Sequence, residues 1–357
     1  MVQKMKLSSI LLVSSLLLSS TNLSAQAPPT LPLAQVSVVM SGLDNPRGLA
    51  FGPEGALYVA EAGRGGGGPC RVNPLGVRLC YGPSGALTRL WHGAQRRIVM
   101  GLPSYVSPAG DATGPHDVSF QDGGAYITIG LGANPAVRSA FGAVGPLFGT
   151  LVQTASRGRW HVIADVSAYE TAANPDRGLI DTNPYGLLAR PGERIIADAG
   201  ANALLRVASD GSISTLAVFP PTPPPIRDSV PAAVAVGPDG AYYVGELTGA
   251  PFLAGTARVF RVVPGAPPQV FLQGFKTIID LDFGPDGSLY VLQYAALGVQ
   301  GLGGPGNVTR VAPNGARSLV AIGLSQPTSL VVGRDGSIYV SNRGSSVGIG
   351  EVLRIEP

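Results

Sequence analysis

The chain has 357 residues, of which 25 are Lys or Arg, 22 are Asp or Glu, and only 13% are charged. Without Lys4 and Lys6 near the N-terminus the charges almost cancel, and no basic patch or aromatic-interleaved arginine run appears, so nucleic acid is not an expected partner. With 50 Gly and 32 Pro, the composition is that of a chain full of turns with few long helices.

Lys4 and Lys6 precede an apolar and hydroxyl run, Leu7 to Ser20, and the small-residue stretch Ser24-Ala25-Gln26-Ala27 leads into Pro28-Pro29. This pattern reads as a secretory signal peptide over 1–27, cleaved near Ala25 or Ala27. Its apolar core falls short of the roughly 20 residues a membrane span needs, and no second hydrophobic span follows. The expected mature chain, 28–357, is therefore exported, to the periplasm or beyond, with no membrane span.

An isolated strand pattern, Gln35 to Met40, comes next, and then a motif repeats along the chain. An apolar strand, a Gly/Pro/Asp turn and a second apolar strand recur at Gly48 (GLAFGPEGALYVAE), Asp117 (DVSFQDGGAYITIG) and Gly186 (GLLARPGERIIADAG). They recur again at Ala233 (AVAVGPDGAYYVGE), Asp280 (DLDFGPDGSLYVLQ) and Ser329 (SLVVGRDGSIYVSN). The turn has a physical cause: Pro presets φ, Asp caps its own backbone and Gly supplies positive φ. The alternating Val, Leu, Ile and Tyr on either side mark strands.

A third strand in most copies carries an arginine in register: Arg89, Arg206, Arg261, Arg310 and Arg354, with Gln153 in the second copy. A fourth strand follows in every copy but the last, where the chain ends after Val352 to Ile355. Four strands repeated six times predict an all-β, six-bladed β-propeller of four antiparallel strands per blade. The orphan strand at Gln35 to Met40 is expected to complete the last blade, hiding its edge.

Equivalent turn positions (Phe51, Phe120, Ala189, Val236, Phe283, Val332) are 69, 69, 47, 47 and 49 residues apart, so the first two intervals carry insertions. The longer connections follow second strands (62–84, 131–147, 248–255, 294–305) or join blades (103–114, 168–182). Such connections emerge on one face of a propeller, which makes that face the expected functional one. The proline run Pro220 to Pro225 is expected to be a stiff surface segment.

The ends of the second strands place Glu61, Ile129, Asp198, Glu246, Gln293 and Asn342 at equivalent positions, five of the six bearing oxygen. The starts of the first strands place Arg47, His116 and Tyr185 at the channel, with Asp117 beside His116. Carboxylate and amide oxygens suit Ca²⁺, so Glu61, Asp198 and Glu246 are metal candidates and Gln293 and Asn342 further channel-mouth ligands. The alternative is a polar channel in which Arg47 and Arg343 pair with these acids. A second acidic group, Glu170, Asn174, Asp176, Asp181 and Asn183, has the spacing of turns with Asx caps. Cys70 and Cys80, ten residues apart, most simply form a disulfide in an exported chain.

The segments GLDNPRGLAFGPEGALYVAEAGRGGGGPC, CYGPSGALTRL, GPHDVSF and DTNPYGLL together resemble the ScyD/ScyE-type exported propellers, relatives of NHL-repeat propellers. The resemblance covers roughly 36 to 357. It implies a six-bladed exported protein that engages extracytoplasmic small molecules, and it transfers no catalytic residues.

Two functions compete at this point. One is a binding propeller holding a small molecule or an extracytoplasmic protein partner on the loop-rich face. The other is a Ca²⁺-dependent lactonase or esterase resembling gluconolactonase and paraoxonase, with the oxygen ring holding the ion and His116 as base. Ile129 breaks that ring. A streptogramin-lyase-like elimination lacks a second channel histidine, and no cationic stacking pocket for a quinone cofactor is identified.

Overall fold

The computed structural model describes residues 35–222 and 228–356. The expected leader and Pro223 to Pro225 of the proline run lie outside the described residues. Six antiparallel sheets form, five of four strands and the first with two short additions. The innermost strands are Pro46–Phe51, Pro115–Gln121, Pro184–Arg190, Pro231–Val236, Ile278–Phe283 and Ser329–Val332. Each packs beside the next, and the last packs beside the first, so the six sheets close a circle around a channel. The protein is a six-bladed β-propeller.

The repeat motif explains each blade locally. In the tight turns Gly55, Gly240, Gly287 and Gly336 have φ of +84°, +78°, +77° and +82°, values that only glycine adopts without strain. The third-strand arginines reach back to the acid of the turn in their own blade. Arg89 pairs with Glu54, Arg206 with Glu193, Arg261 with Asp239, Arg310 with Asp286 and Arg354 with Asp335. The hydrogen bonds from Arg310 pull Asp286 down to about 2. In the second blade Gln153 donates instead to the Tyr126 hydroxyl at 2.9 Å.

The apolar core is divided among the seams between blades. Six buried clusters are present among the described residues, five built from two neighbouring sheets and one that adds Ala232 of blade 4 to blades 5 and 6. The seam between the sixth and first blades contains Met40 and Leu43 from the N-terminal strand, with Leu49, Leu57 and Val59 from the first blade and Val352 from the last. That N-terminal strand, Gln35–Leu43, runs antiparallel to Gly350–Glu356, from Gln35 opposite Glu356 to Leu43 opposite Gly350. The closing strand is thus where the repeat count requires it, and it covers the outer edge of Gly350–Glu356.

The insertions are more structured than loops. The third and fourth strands of blade 1, Arg78–Trp91 and Ala94–Val106, extend well into segments expected to be loop. Cys70–Val72 pairs along the third strand, with Cys70 opposite Cys80, and the two form the disulfide. The insertion after the second strand of blade 2 carries 3-10 turns over Pro135–Leu147, and the connection into blade 3 carries the helix Val166–Ala173. Among the described residues no helix is long and apolar enough to cross a membrane.

The closing strand gives a direct test of what holds the circle. Leu43 is fully buried in the closing seam, so Leu43→Ala should lower unfolding stability by about 2–5 kcal/mol in urea titration. A loss below about 1 kcal/mol would mean that this strand does not hold the ring.

Candidate functional site: the two ends of the channel

The residues at the ends of the second strands do not gather around the channel. Each lies one strand outward from it and accepts hydrogen bonds from the segment entering its own blade. Glu61 accepts from Asp44 N (2.7 Å), Asp198 from Asn183 N (2.7 Å), Gln293 from Lys276 N (2.8 Å) and Asn342 from Ser325 N (2.8 Å). Glu246 accepts from the Ser229 hydroxyl at 2.6 Å. The cause is general: a main-chain N–H buried by the incoming segment needs an acceptor. Ile129 is the exception because its incoming segment, Ala112–Thr113, pairs by main chain with Tyr105 and Val106.

The expectation of a shared cation ring at the channel mouth is therefore corrected. Glu61 is engaged by Arg97 (2.6 and 2.9 Å) and Glu246 by Arg258 (2.6 and 3.0 Å). Asp198 also accepts from Thr182, Gly200 and Ala201. Among the described residues no three His, Cys, Asp or Glu side chains are arranged to hold a metal ion. Glu61, Asp198 and Glu246, held apart in three blades, do not fit Ca²⁺. Arg47 and Arg343 do not pair with them either; Arg47 pairs with Asp111 and Arg343 with Glu351.

Arg47, His116 and Tyr185 do meet at the channel, where they plug its loop-rich end. Arg47 donates to Gly344 O (2.5 Å), Asp111 (3.0 Å) and Ala112 O (2.9 Å). The His116 and Tyr185 rings lie 4.7 Å apart. Burial first, and then the Arg47 charge, push His116 down to about 3, so the imidazole is neutral; its Nδ1–H donates to Pro184 O at 3.1 Å. Burial pushes the Tyr185 phenol up. A Cβ at Gly130 would stand 2.0 Å from the His116 ring, so glycine is what lets the ring pack there. His92 and His161 are exposed, away from this plug.

The channel opens at the opposite, tight-turn end into a cavity of about 920 Å³. Its walls are the innermost strands, whose Leu49, Val118, Leu187, Val234, Leu281 and Leu330 side chains are buried in the seams between blades. Asp117, Asp280 and Asp282 line it too, half-buried. Each staples its blade to the next: Asp117 accepts from Leu187 N (2.7 Å), Asp280 from Leu330 N (2.9 Å) and Asp282 from Val332 N (2.9 Å). Innermost strands share no main-chain ladder with their neighbours, so these carboxylates satisfy N–H groups that would otherwise be orphaned. Gly48 admits Asp117, since a Cβ there would meet the Asp117 carboxylate at 2.0 Å.

These acids are held above their ordinary range. Burial, then the Asp280 charge, raises Asp117 well above it; burial raises Asp280 to about 7 and Asp282 to about 6. Asp280 and Asp282, absent from the sequence-based candidates, have a clear signal in hindsight: DLDF puts two charges on a strand that faces the channel.

No protein-family model and no curated protein sequence matches the chain. Among solved structures it is similar to a glucose dehydrogenase, at 15% identity over 90% of this chain and 99% of that one, TM-score 0.54. It is similar to a luciferin-regenerating enzyme at 9% identity over 91% and 95%, TM-score 0.53. A virginiamycin B lyase from Staphylococcus aureus, solved with quinupristin, matches at 12% identity over 91% and 99%, TM-score 0.50. At these identities the likeness shows the propeller fold alone.

Two outcomes follow. Glu61→Ala leaves the buried Asp44 N–H without its acceptor and removes one of Arg97's two acid partners, and should cost about 1–3 kcal/mol in chemical denaturation; a change under about 0.5 kcal/mol would remove the latch from the account. The channel acids bind protons more tightly folded than unfolded, where carboxyls titrate near 4, so folding takes up protons between about pH 4 and 7. Stability should therefore fall as pH rises through that window. Asp280→Asn, which stays neutral, should flatten part of the Tm slope, and an unchanged slope would contradict the raised Asp280.

Proposed function

We propose that this chain is a binding propeller that holds a small molecule in the channel cavity at its tight-turn end. The observation that carries the reading is a cavity of about 920 Å³ walled by the innermost strands, with half-buried carboxyls inside it, while the other end of the channel is plugged. Pockets of this size are the usual form of small-molecule sites. A small molecule bearing a hydroxyl or amine suits a lining of strand backbone and half-buried carboxyls. The ScyD/ScyE resemblance, which implies extracytoplasmic small molecules, points the same way. So does the Cys70–Cys80 disulfide, which suits an oxidising compartment and export.

The Ca²⁺-dependent lactonase reading finds less support, because its ligands are committed to separate latches and His116 is sealed into the plug. A second reading, an extracytoplasmic protein partner on the loop-rich face, draws on apolar loop tips: Leu75, Leu179 and Val299 are 86%, 90% and 80% exposed.

The neutral apolar dye N-phenyl-1-naphthylamine tests the cavity. The mature chain should enhance its fluorescence, and Val236→Trp, at an exposed position of the cavity lining, should reduce the enhancement at least fivefold while the melting temperature stays within a few degrees. Enhancement that survives Val236→Trp would move the binding site elsewhere.

A further inference from the structure

The connection between blades 2 and 3 holds oxygens that nothing in the fold satisfies. Glu170, in the helix Val166–Ala173, is 1% exposed, and neither of its carboxylate oxygens has a hydrogen-bond partner. The Asp181 N–H approaches it without reaching hydrogen-bond geometry, so the segment after the helix lies against it. Asn174, one turn after Glu170, caps the helix with φ +38° and turns its amide NH₂ to Gly178 O at 3.1 Å. That leaves Asn174 Oδ1 buried and unpartnered, and Asp181 Oδ1 is in the same condition. The Arg71 charge acts on Asp181 through space, but the two form no ion pair.

Buried carboxylates elsewhere in the molecule are treated differently. Asp198 has four donors, Thr182, Asn183, Gly200 and Ala201. Glu61 and Glu246 each have an arginine. A buried carboxylate with no donor costs several kcal/mol unless something neutralises it.

We propose that Glu170, Asn174 and Asp181 form a Ca²⁺ site that pins the blade 2 to blade 3 connection. Two carboxylates and an amide oxygen, completed by main-chain oxygens and water, are a hard-cation donor set. The site is separate from the channel cavity and independent of what the cavity binds.

The mature chain, stripped with chelator and titrated with Ca²⁺ alone, provides the test. Its melting temperature should rise by on the order of 5 °C at millimolar Ca²⁺, because an ion bound only by the native state raises stability. Glu170→Gln and Asp181→Asn should each abolish the rise, whereas Asp280→Asn in the channel should keep it. Should Glu170→Gln fail to fold, the half-buried Asp181→Asn alone decides, with Ca²⁺ binding measured calorimetrically. No rise in the unaltered chain, or a rise that persists in Asp181→Asn, overturns the proposal. A Glu170→Gln chain that is more stable than the unaltered one, with neither responding to Ca²⁺, would assign the pocket to a buried proton or water and overturn it equally.

Discussion

The structure depends on closing a circle from a chain that has two ends. Six sheets packed side by side bury five seams by sequence alone; the sixth exists only because residues 35–43 join the last blade. The chain then passes directly into blade 1, so one short segment serves both sides of that seam. Met40 and Leu43 fill it with apolar volume. Immediately after them Asp44 brings its N–H to Glu61 and its carboxylate to Arg97 and Arg64. Where other blades use Gln293 or Asn342 for the same latch, the closing seam uses a charged network. A neutral latch holds a segment in place, whereas a buried carboxylate bound to Arg97 also ties it to the outer strand of the sheet.

The architecture was legible because its causes are local. A Pro-Asp-Gly turn between alternating strands needs no tertiary information, and six copies with an orphan strand specify both the count and the closure. The arginine register was legible for the same reason, and its partner is the acid of the adjacent turn. The site was harder to read because the direction of a side chain at a strand end is set by its neighbours. Glu61, Asp198, Glu246, Gln293 and Asn342 share a repeat position, which is visible in sequence. That the position faces an incoming segment, one strand away from the channel, is not. Recurrence at one position signalled a shared structural task, the capping of a buried N–H, and Ile129 falls where main-chain pairing performs that task.

The same offset explains why the two ends of the channel exchanged roles. Loop length drew attention to the elaborated face, yet length there builds a plug: Arg47, His116 and Tyr185 are packed by the segments that the insertions support. The tight-turn end has no covering segments and so leaves the innermost strands open to solvent. Asp117 was visible as the neighbour of His116, but alternation along a strand puts the two on different sides. His116 enters the plug and Asp117 the layer that also holds Asp280.

Polar groups inside this propeller fall into three conditions, and the differences among them separate structure from chemistry. The strand-end latches are saturated with donors and stay within their own blades. The channel acids bridge blades: each gives one oxygen to a neighbouring blade and the other to the main-chain N–H of its own next residue, and holds its proton more tightly for being buried there. Glu170 is in the third condition, fully buried without a single donor. Asp198, at the end of the second strand of blade 3, draws two of its four donors, Thr182 and Asn183, from the same connection, so that connection has the means to satisfy a carboxylate. Glu170, Asn174 and Asp181 nonetheless keep buried oxygens without a hydrogen-bond donor, and it is this contrast that the proposed Ca²⁺ site answers.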